Sequence, residues 1–183
     1  MQVTAITLVS LLFLSIHRGS RAFLDSNPAL GAYQDDGKCF PMKESWYIAY
    51  RNFENDPYFG GTSKCAKATE ITPYVHNSSI VVLEYGKTLQ YTKVSLASGC
   101  GYNAQNSAKV AVFGQFHSKF SMTAAYIDCN NCKLFRNSYA LGGNGCTLWK
   151  PESKINQENR CCDFVFALLC GGSAKYQIYD NCH

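Results

Sequence analysis

The sequence predicts a mainly β protein: an eight-stranded antiparallel barrel, held by disulfides, with one C-terminal α-helix packed outside. Three observations carry this expectation. Strand-like runs recur at roughly 8–12-residue spacing, with turn residues between them, from Ser45 to Lys150, a spacing that suits an antiparallel sandwich or a barrel. A single helical pattern follows the last of these runs. Ten cysteines, an even number, all lie downstream of an apolar leader.

The leader comes first. Thr4 to Ile16 is apolar, too short to span a bilayer with margin, and gives way to the polar stretch His17 to Ala22. Ser20 and Ala22 are small residues of the kind a signal peptidase needs, although no Lys or Arg precedes the run. Residues 1–22 are therefore expected to be a signal peptide cleaved before Phe23, leaving 161 of 183 residues as one secreted domain, 23–183. Loss of Arg18 and Arg21 lowers the formal charge from +4 to +2, too little to point to nucleic acid or an anionic membrane. A cysteine framework behind a leader belongs to an oxidising compartment. Asn77-Ser78-Ser79 is a glycosylation sequon in a turn-like setting, with Asn77 the acceptor.

The elements follow in order. Trp46 to Tyr50 opens the β region and ends at Asn55-Asp56-Pro57 and Gly60-Gly61. Ser79 to Tyr85 and Lys87 to Ala97 form a hairpin across Gly86. Val110 to Phe113 and Lys119 to Asp128 pair around Gly114, and Phe120, Met122, Ala124 and Tyr126 share one face of the longer strand. Cys132 to Arg136 and Cys146 to Lys150 close the set around Gly142-Gly143. Glu158 to Cys170 then reads as helix, with Phe166, Leu169 and Cys170 at helical spacing and Gly171-Gly172 as the stop. A closed barrel of this size encloses side chains or one small ligand.

The stretch Trp46 to Gly60, running from an aromatic-rich strand into Asn55-Asp56-Pro57, resembles the first barrel strand of the tick histamine-binding lipocalins. Gly101-Tyr102-Asn103 matches another short family signature, which brings Tyr102 among the candidate ligand-binding residues. The end matches most closely: Cys132 and Leu134, then Leu148-Trp149, then Cys161-Cys162 heading a helix with Phe166 and Leu169, then Tyr179-Asp180-Asn181-Cys182. The resemblance implies a single lipocalin domain and a small-molecule ligand. It also implies bridges Cys65–Cys182 and Cys132–Cys162, with Cys39–Cys161 as in a soft-tick branch; Cys100, Cys129, Cys146 and Cys170 stay unassigned.

This chain departs from the family where amines are held. Glu44 stands where the general lipocalin pattern has Gly. Lys133 and Thr147 occupy the places of two amine-binding acids, and Thr92 that of a third. Asp56 and Trp149 match the family, while Phe53 replaces a ligand-touching Tyr.

A protonated amine in a dry pocket needs carboxylates to replace its water. Between Ser45 and Lys150 the acids are Glu54, Asp56, Glu70, Glu84 and Asp128, and Asp56 is the best candidate, its alternative being a turn residue before Pro57. Aromatics are plentiful, among them Tyr47, Tyr50, Phe53, Phe59, Tyr91, Phe113, Phe116 and Phe120, and could form a cation–π cage, line an acyl slot or simply fill the core. Strand alternation puts Arg51 on the face of Ala49 and Phe53. An inward Arg calls for an anion and favours a fatty acid or leukotriene; a bulge turning it outward, or an acid pairing with it, removes that argument. Both ligand classes, lipid and biogenic amine such as histamine, stay open. Either would be captured to counter host inflammation or haemostasis.

Catalysis is not expected. Cys161-Cys162-Asp163 faintly resembles the phospholipase A2 helix, but no His lies between His117 and His183. The mature histidines His76, His117 and His183 lack metal-ligand spacing, and no cofactor motif is present. The alternative class is a protein-binding module that engages a host defence protein through loop aromatics such as Tyr58 and Phe59. The chain is otherwise expected to act as a monomer, with no nucleic-acid or membrane partner.

Overall fold

In the computed structural model, residues 26–114, 118–172 and 174–182 are described. The leader, Phe23, Phe116, His117 and His183 lie outside them.

Eight antiparallel strands close into a barrel: β1 (Trp46–Arg51), β2 (Lys67–Glu70), β3 (Ser78–Tyr85), β4 (Thr88–Ala97), β5 (Ser107–Val112), β6 (Lys119–Asp128), β7 (Cys132–Asn137) and β8 (Gly145–Pro151). Each strand pairs with the next, β8 returns to β1, and the short contact Trp46↔Ala68 and Tyr47↔Lys67 joins β1 to β2. Seven of the strands follow the apolar runs in the sequence. β2 was not expected; Lys67-Ala68-Thr69-Glu70 has one apolar residue and owes its conformation to its partners on β3 and β1. A ninth strand, β9 (Tyr176–Gln177), lies on the outer side of β1's end against Tyr50 and Arg51.

Two bulges set what faces inward. Ile48 pairs with Trp149, but Tyr50, not Ala49, pairs with Leu148. The extra residue Ala49 turns outward with Tyr50 into the cluster under the helix, and Arg51 returns to the lumen face opposite Thr147. Arg51 therefore points inward as expected, yet it does not share a face with Ala49. A second bulge at Ala125 turns Tyr126 outward and Ile127 inward, so Tyr126 does not share the face of Phe120, Met122 and Ala124 as expected; on β7, Phe135 faces inward and Leu134 outward.

The helix α1 (Arg160–Cys170) begins at Asn159, whose side chain caps the Cys162 N–H, and ends at Gly171 with φ +75°. Cys162, Phe166, Leu169 and Cys170 form its buried face, packed on Tyr50, Leu134 and Leu148 of the outer barrel wall. Each such large apolar side chain contributes about 1.5–3 kcal/mol. Cys132–Cys162 and Cys146–Cys170 tie the two ends of that face to β7 and β8. Burial opposes ionisation of Asp163, but the Tyr50 hydroxyl, Lys175 and Lys150 outweigh it and hold this carboxyl below the usual range.

At the start of β1 the chain wraps the barrel end as a clasp. Two 3-10 turns, Pro28–Tyr33 and Asp36–Cys39, are capped by Asn27 and Asp35. Gln34 donates to the Ala125 carbonyl and accepts from the Tyr102 hydroxyl, and the Asp36 N–H donates to the Gln105 carbonyl. Cys39–Cys129 staples the clasp to the end of β6, and Cys65–Cys182 staples the tail beside β2.

The expected pairs Cys65–Cys182 and Cys132–Cys162 are present. Cys39–Cys161 is not. Cys161 points to solvent from the first turn of α1, 3.8 Å from the Tyr126 hydroxyl, because Cys162 takes the buried side. Cys39 instead meets Cys129 at a Cα separation of 5.2 Å, within normal disulfide reach. Cys100 and Cys161 are exposed free thiols. Iodoacetamide applied to the folded protein should accordingly modify Cys100 and Cys161 alone, and peptide mapping should recover Cys39 joined to Cys129; a Cys39–Cys161 peptide would contradict this arrangement. Because the Asp163 pKa is lowered, its contribution is present above the ordinary aspartate pKa of about 3.9 and is lost as pH falls through the depressed value. Asp163→Asn should therefore lower the melting temperature at pH 7 and bring the variant level with wild type in strong acid, checked by thermal melts.

Candidate functional site

Inward residues of most strands and of the clasp leave an internal cavity of about 60 Å³, several times the space one water needs. Its wall is apolar: Trp46, Phe59, Val81, Leu83, Val110, Met122, Phe135 and Trp149, with Phe40 and Met42 from the clasp. Trp46 and Trp149 are the chain's two tryptophans. Phe59 meets Trp149 edge-on at 5.3 Å between ring centroids. The Trp149 indole N–H donates to Thr147 Oγ1 at 3.2 Å, which also accepts from Asn137, so the indole's polar edge is satisfied and its rings face the space.

Two charged residues line this cavity, Asp36 and Lys133. Both are buried, 3% and 5% exposed. Lys133 Nζ lies 2.9 Å from Asp36 Oδ1, close enough for an ion pair but off the direction a hydrogen bond prefers. The ammonium also sits 4.5 Å from the Trp46 ring centre and 5.2 Å from that of Phe40.

At the other end of β1 the loop from Asn52 to Ala66 folds over the barrel mouth. Arg51, fully buried, gathers it: its guanidinium donates to the carbonyls of Phe53 at 3.0 Å, Glu54 at 2.6 Å and Gly61, and lies 3.5 Å from Asp56. Asp56, also fully buried, accepts from the N–H groups of Tyr58 and Phe59 and from the Tyr139 hydroxyl. Burial pushes the Asp56 carboxyl above the usual range and the Arg51 guanidinium below its own, while the pair's mutual attraction opposes both shifts. Tyr58 stacks on Phe120 at 4.1 Å, and Tyr139 packs edge-on against Tyr58 and Phe120. Gly60 is required here: at φ +82°, an added Cβ would stand 2.6 Å from the Tyr85 ring.

The residues singled out from the sequence separate in space. Phe59, Trp149, Thr147, Arg51, Asp56 and Phe53 gather in the lumen or at its mouth, with Phe53 under the Arg51 guanidinium. Tyr47 does not join them; it faces outward against Tyr179. Tyr102, between β4 and β5, donates its hydroxyl to Gln34 of the clasp, and Thr92 donates its hydroxyl to the Val81 carbonyl. Of the other acids, Glu84 pairs with Lys67 on the surface, Glu70 accepts from the Met42 N–H, Asp128 organises a turn and Glu54 is exposed. The loop aromatics Tyr58 and Phe59 turn into the barrel. Asn77 is exposed in the tight turn between β2 and β3. The polar pair inside the cavity was missed. Lys133 registered only as a lost acid, and Asp36 lies upstream of the strands, in a segment that folds back into the lumen.

The Arg that favoured an anion and the Asp that favoured an amine therefore pair with each other. Their charges offset each other, although Arg51 Nη1 makes no hydrogen bond.

A family model described as tick histamine binding protein matches residues 24–183. Among solved structures, AM182 in its serotonin complex aligns with a TM-score of 0.57 at 20% identity, covering 86% of this chain and 94% of that one. Japanin from Rhipicephalus appendiculatus bound to cholesterol aligns with a TM-score of 0.54 at 12% identity, covering 76% and 95%. Apocrustacyanin C2 aligns at 0.50 and 11%, covering 79% and 83%. No curated protein matches the sequence.

Asp56→Asn keeps an acceptor for the loop N–H groups but strips Arg51 of its counter-charge. An uncompensated buried charge costs about 3–5 kcal/mol. The variant should melt roughly 10 °C lower, as read by circular dichroism, and an unchanged melting temperature would show that the pair does not hold the loop.

Proposed function

Because the chain belongs to the tick histamine-binding protein family, we propose that it captures one small ligand of mainly apolar body inside its barrel. The observation that carries this reading is the cavity wall, in which Trp46, Phe59, Phe135 and Trp149 line the space inside the barrel. At about 60 Å³ the space is smaller than an ordinary ligand pocket of about 300–1,000 Å³, so a guest enters as the unbranched side chains of Met42 and Met122 move aside. Solved neighbours hold serotonin and cholesterol, both ring systems, which supports a lumen of this shape taking such bodies.

The reading includes secretion after removal of residues 1–22, a glycan on Asn77 and action as a single-domain monomer. The protein would work by stoichiometric capture of a host mediator, without turnover, and so blunt inflammation or haemostasis. Inward-turned Tyr58 and Phe59 favour small-molecule capture over engagement of a host protein through this loop.

Both tryptophans border the cavity, so their emission reports on its occupancy. Titration with arachidonate, leukotriene B4, cholesterol, serotonin and histamine should give a saturable change with at least one, matched by a one-to-one adduct in native mass spectrometry. No emission change and no adduct with any of the five would overturn the proposal.

A further inference from the structure

The polar groups inside the cavity bear on what the guest's head can be. Asp36 and Lys133 are the charged residues of the lining, and they neutralise each other. Glu70 shares the face of Ala68 but is not part of the lining; its Oε2 accepts from the Met42 N–H, while Oε1 is buried without a hydrogen-bond partner. The Arg51–Asp56 pair at the mouth is internally neutral as well. A guest therefore meets a lining of no net charge with apolar walls, the Glu70 carboxylate lying behind Met42.

A charged head group fares badly there. An ammonium would need a carboxylate, and the place beside Asp36 and over the Trp46 and Phe40 rings is already filled by the protein's own ammonium. A carboxylate would pair with Lys133 only by displacing or crowding Asp36. Either ion sheds its water for an environment that offers no net counter-charge.

A neutral hydroxyl meets no such penalty. Asp36 Oδ1 is buried and receives no well-directed hydrogen bond, although Lys133 is 2.9 Å away. Lys133 has three N–H donors, and besides Asp36 its near neighbours are two rings. A hydroxyl can donate to Asp36 and accept from Lys133 at once. We propose that the Asp36–Lys133 pair is the head-group selector of the lumen, admitting an uncharged apolar ligand that bears a hydroxyl and rejecting its ammonium and carboxylate counterparts. This rests on the reading that the lumen binds a ligand at all.

The test uses one tail with three heads: decanol, decanoate and decylammonium, each below its micelle concentration, titrated against tryptophan emission at pH 7. Decanol should bind at least about tenfold more tightly than either ion, the order expected when a charge must be buried without a partner. Lys133→Met leaves Asp36 uncompensated and should turn the preference to decylammonium; Asp36→Asn leaves Lys133 alone and should turn it to decanoate. Thermal melts establish that each variant is folded, and the wild-type series stands alone if one is not. An ion that binds wild type as tightly as decanol would overturn the selector while leaving lumen capture intact. Failure of all three heads, together with failure of the five-ligand panel, would overturn lumen capture itself.

Discussion

Each of the two buried cations that the barrel strands turn inward, Arg51 and Lys133, is held in a neutral pair, and the closure of the barrel follows from that constraint. An unpaired ion in an apolar lumen costs several kcal/mol or more. Arg51 is held by Asp56 and three backbone carbonyls, and Lys133 by Asp36 and two aromatic rings. The first pair needs the loop after β1 to fold inward, because the carbonyls and the carboxylate come from that loop. Folding it inward brings Phe59 over Trp149 and so makes one wall of the cavity. The second pair needs the clasp, because Asp36 lies outside the strands. Both closures of the barrel are thus tied to the neutralisation of a cation placed on a strand.

The disulfides support this division of labour. Two bridges fix α1 against β7 and β8 on the outer wall, away from the lumen. A third holds the tail beside β2, closing a loop of more than 100 residues. On a chain-entropy argument such a loop is worth about 4–5 kcal/mol. The fourth anchors the clasp three residues after Asp36.

Most of the barrel was legible in the sequence because its strands carry aromatic and β-branched residues in short runs between glycine-rich turns. β2 was not legible, since Lys67-Ala68-Thr69-Glu70 carries little of that signal and is recruited by its neighbours. Cys39 was assigned the wrong partner because cysteine spacing says nothing of which face of a helix turn each thiol takes; Cys162 claimed the inner side and left Cys161 outside. Alternation and the resemblance at Phe53 point Arg51 inward, but the bulge at Ala49 breaks the alternation and Asp56 pairs with Arg51, neither of which strand spacing reveals. Thr147 and Trp149 were singled out by the family resemblance, and β8 holds them together through the indole N–H to Thr147. Asp36 and Lys133 belong together only in three dimensions, 97 positions apart, and no local pattern connects them.

The clasp has an implication for kinship among such barrels. One half of the cavity's polar wall is supplied by a short irregular segment that takes no part in the sheet. Strands and lumen chemistry can therefore diverge independently. Two chains with matching sheets can differ in what they carry through a change confined to a dozen residues ahead of the first strand, and alignment of the strands alone will not reveal it.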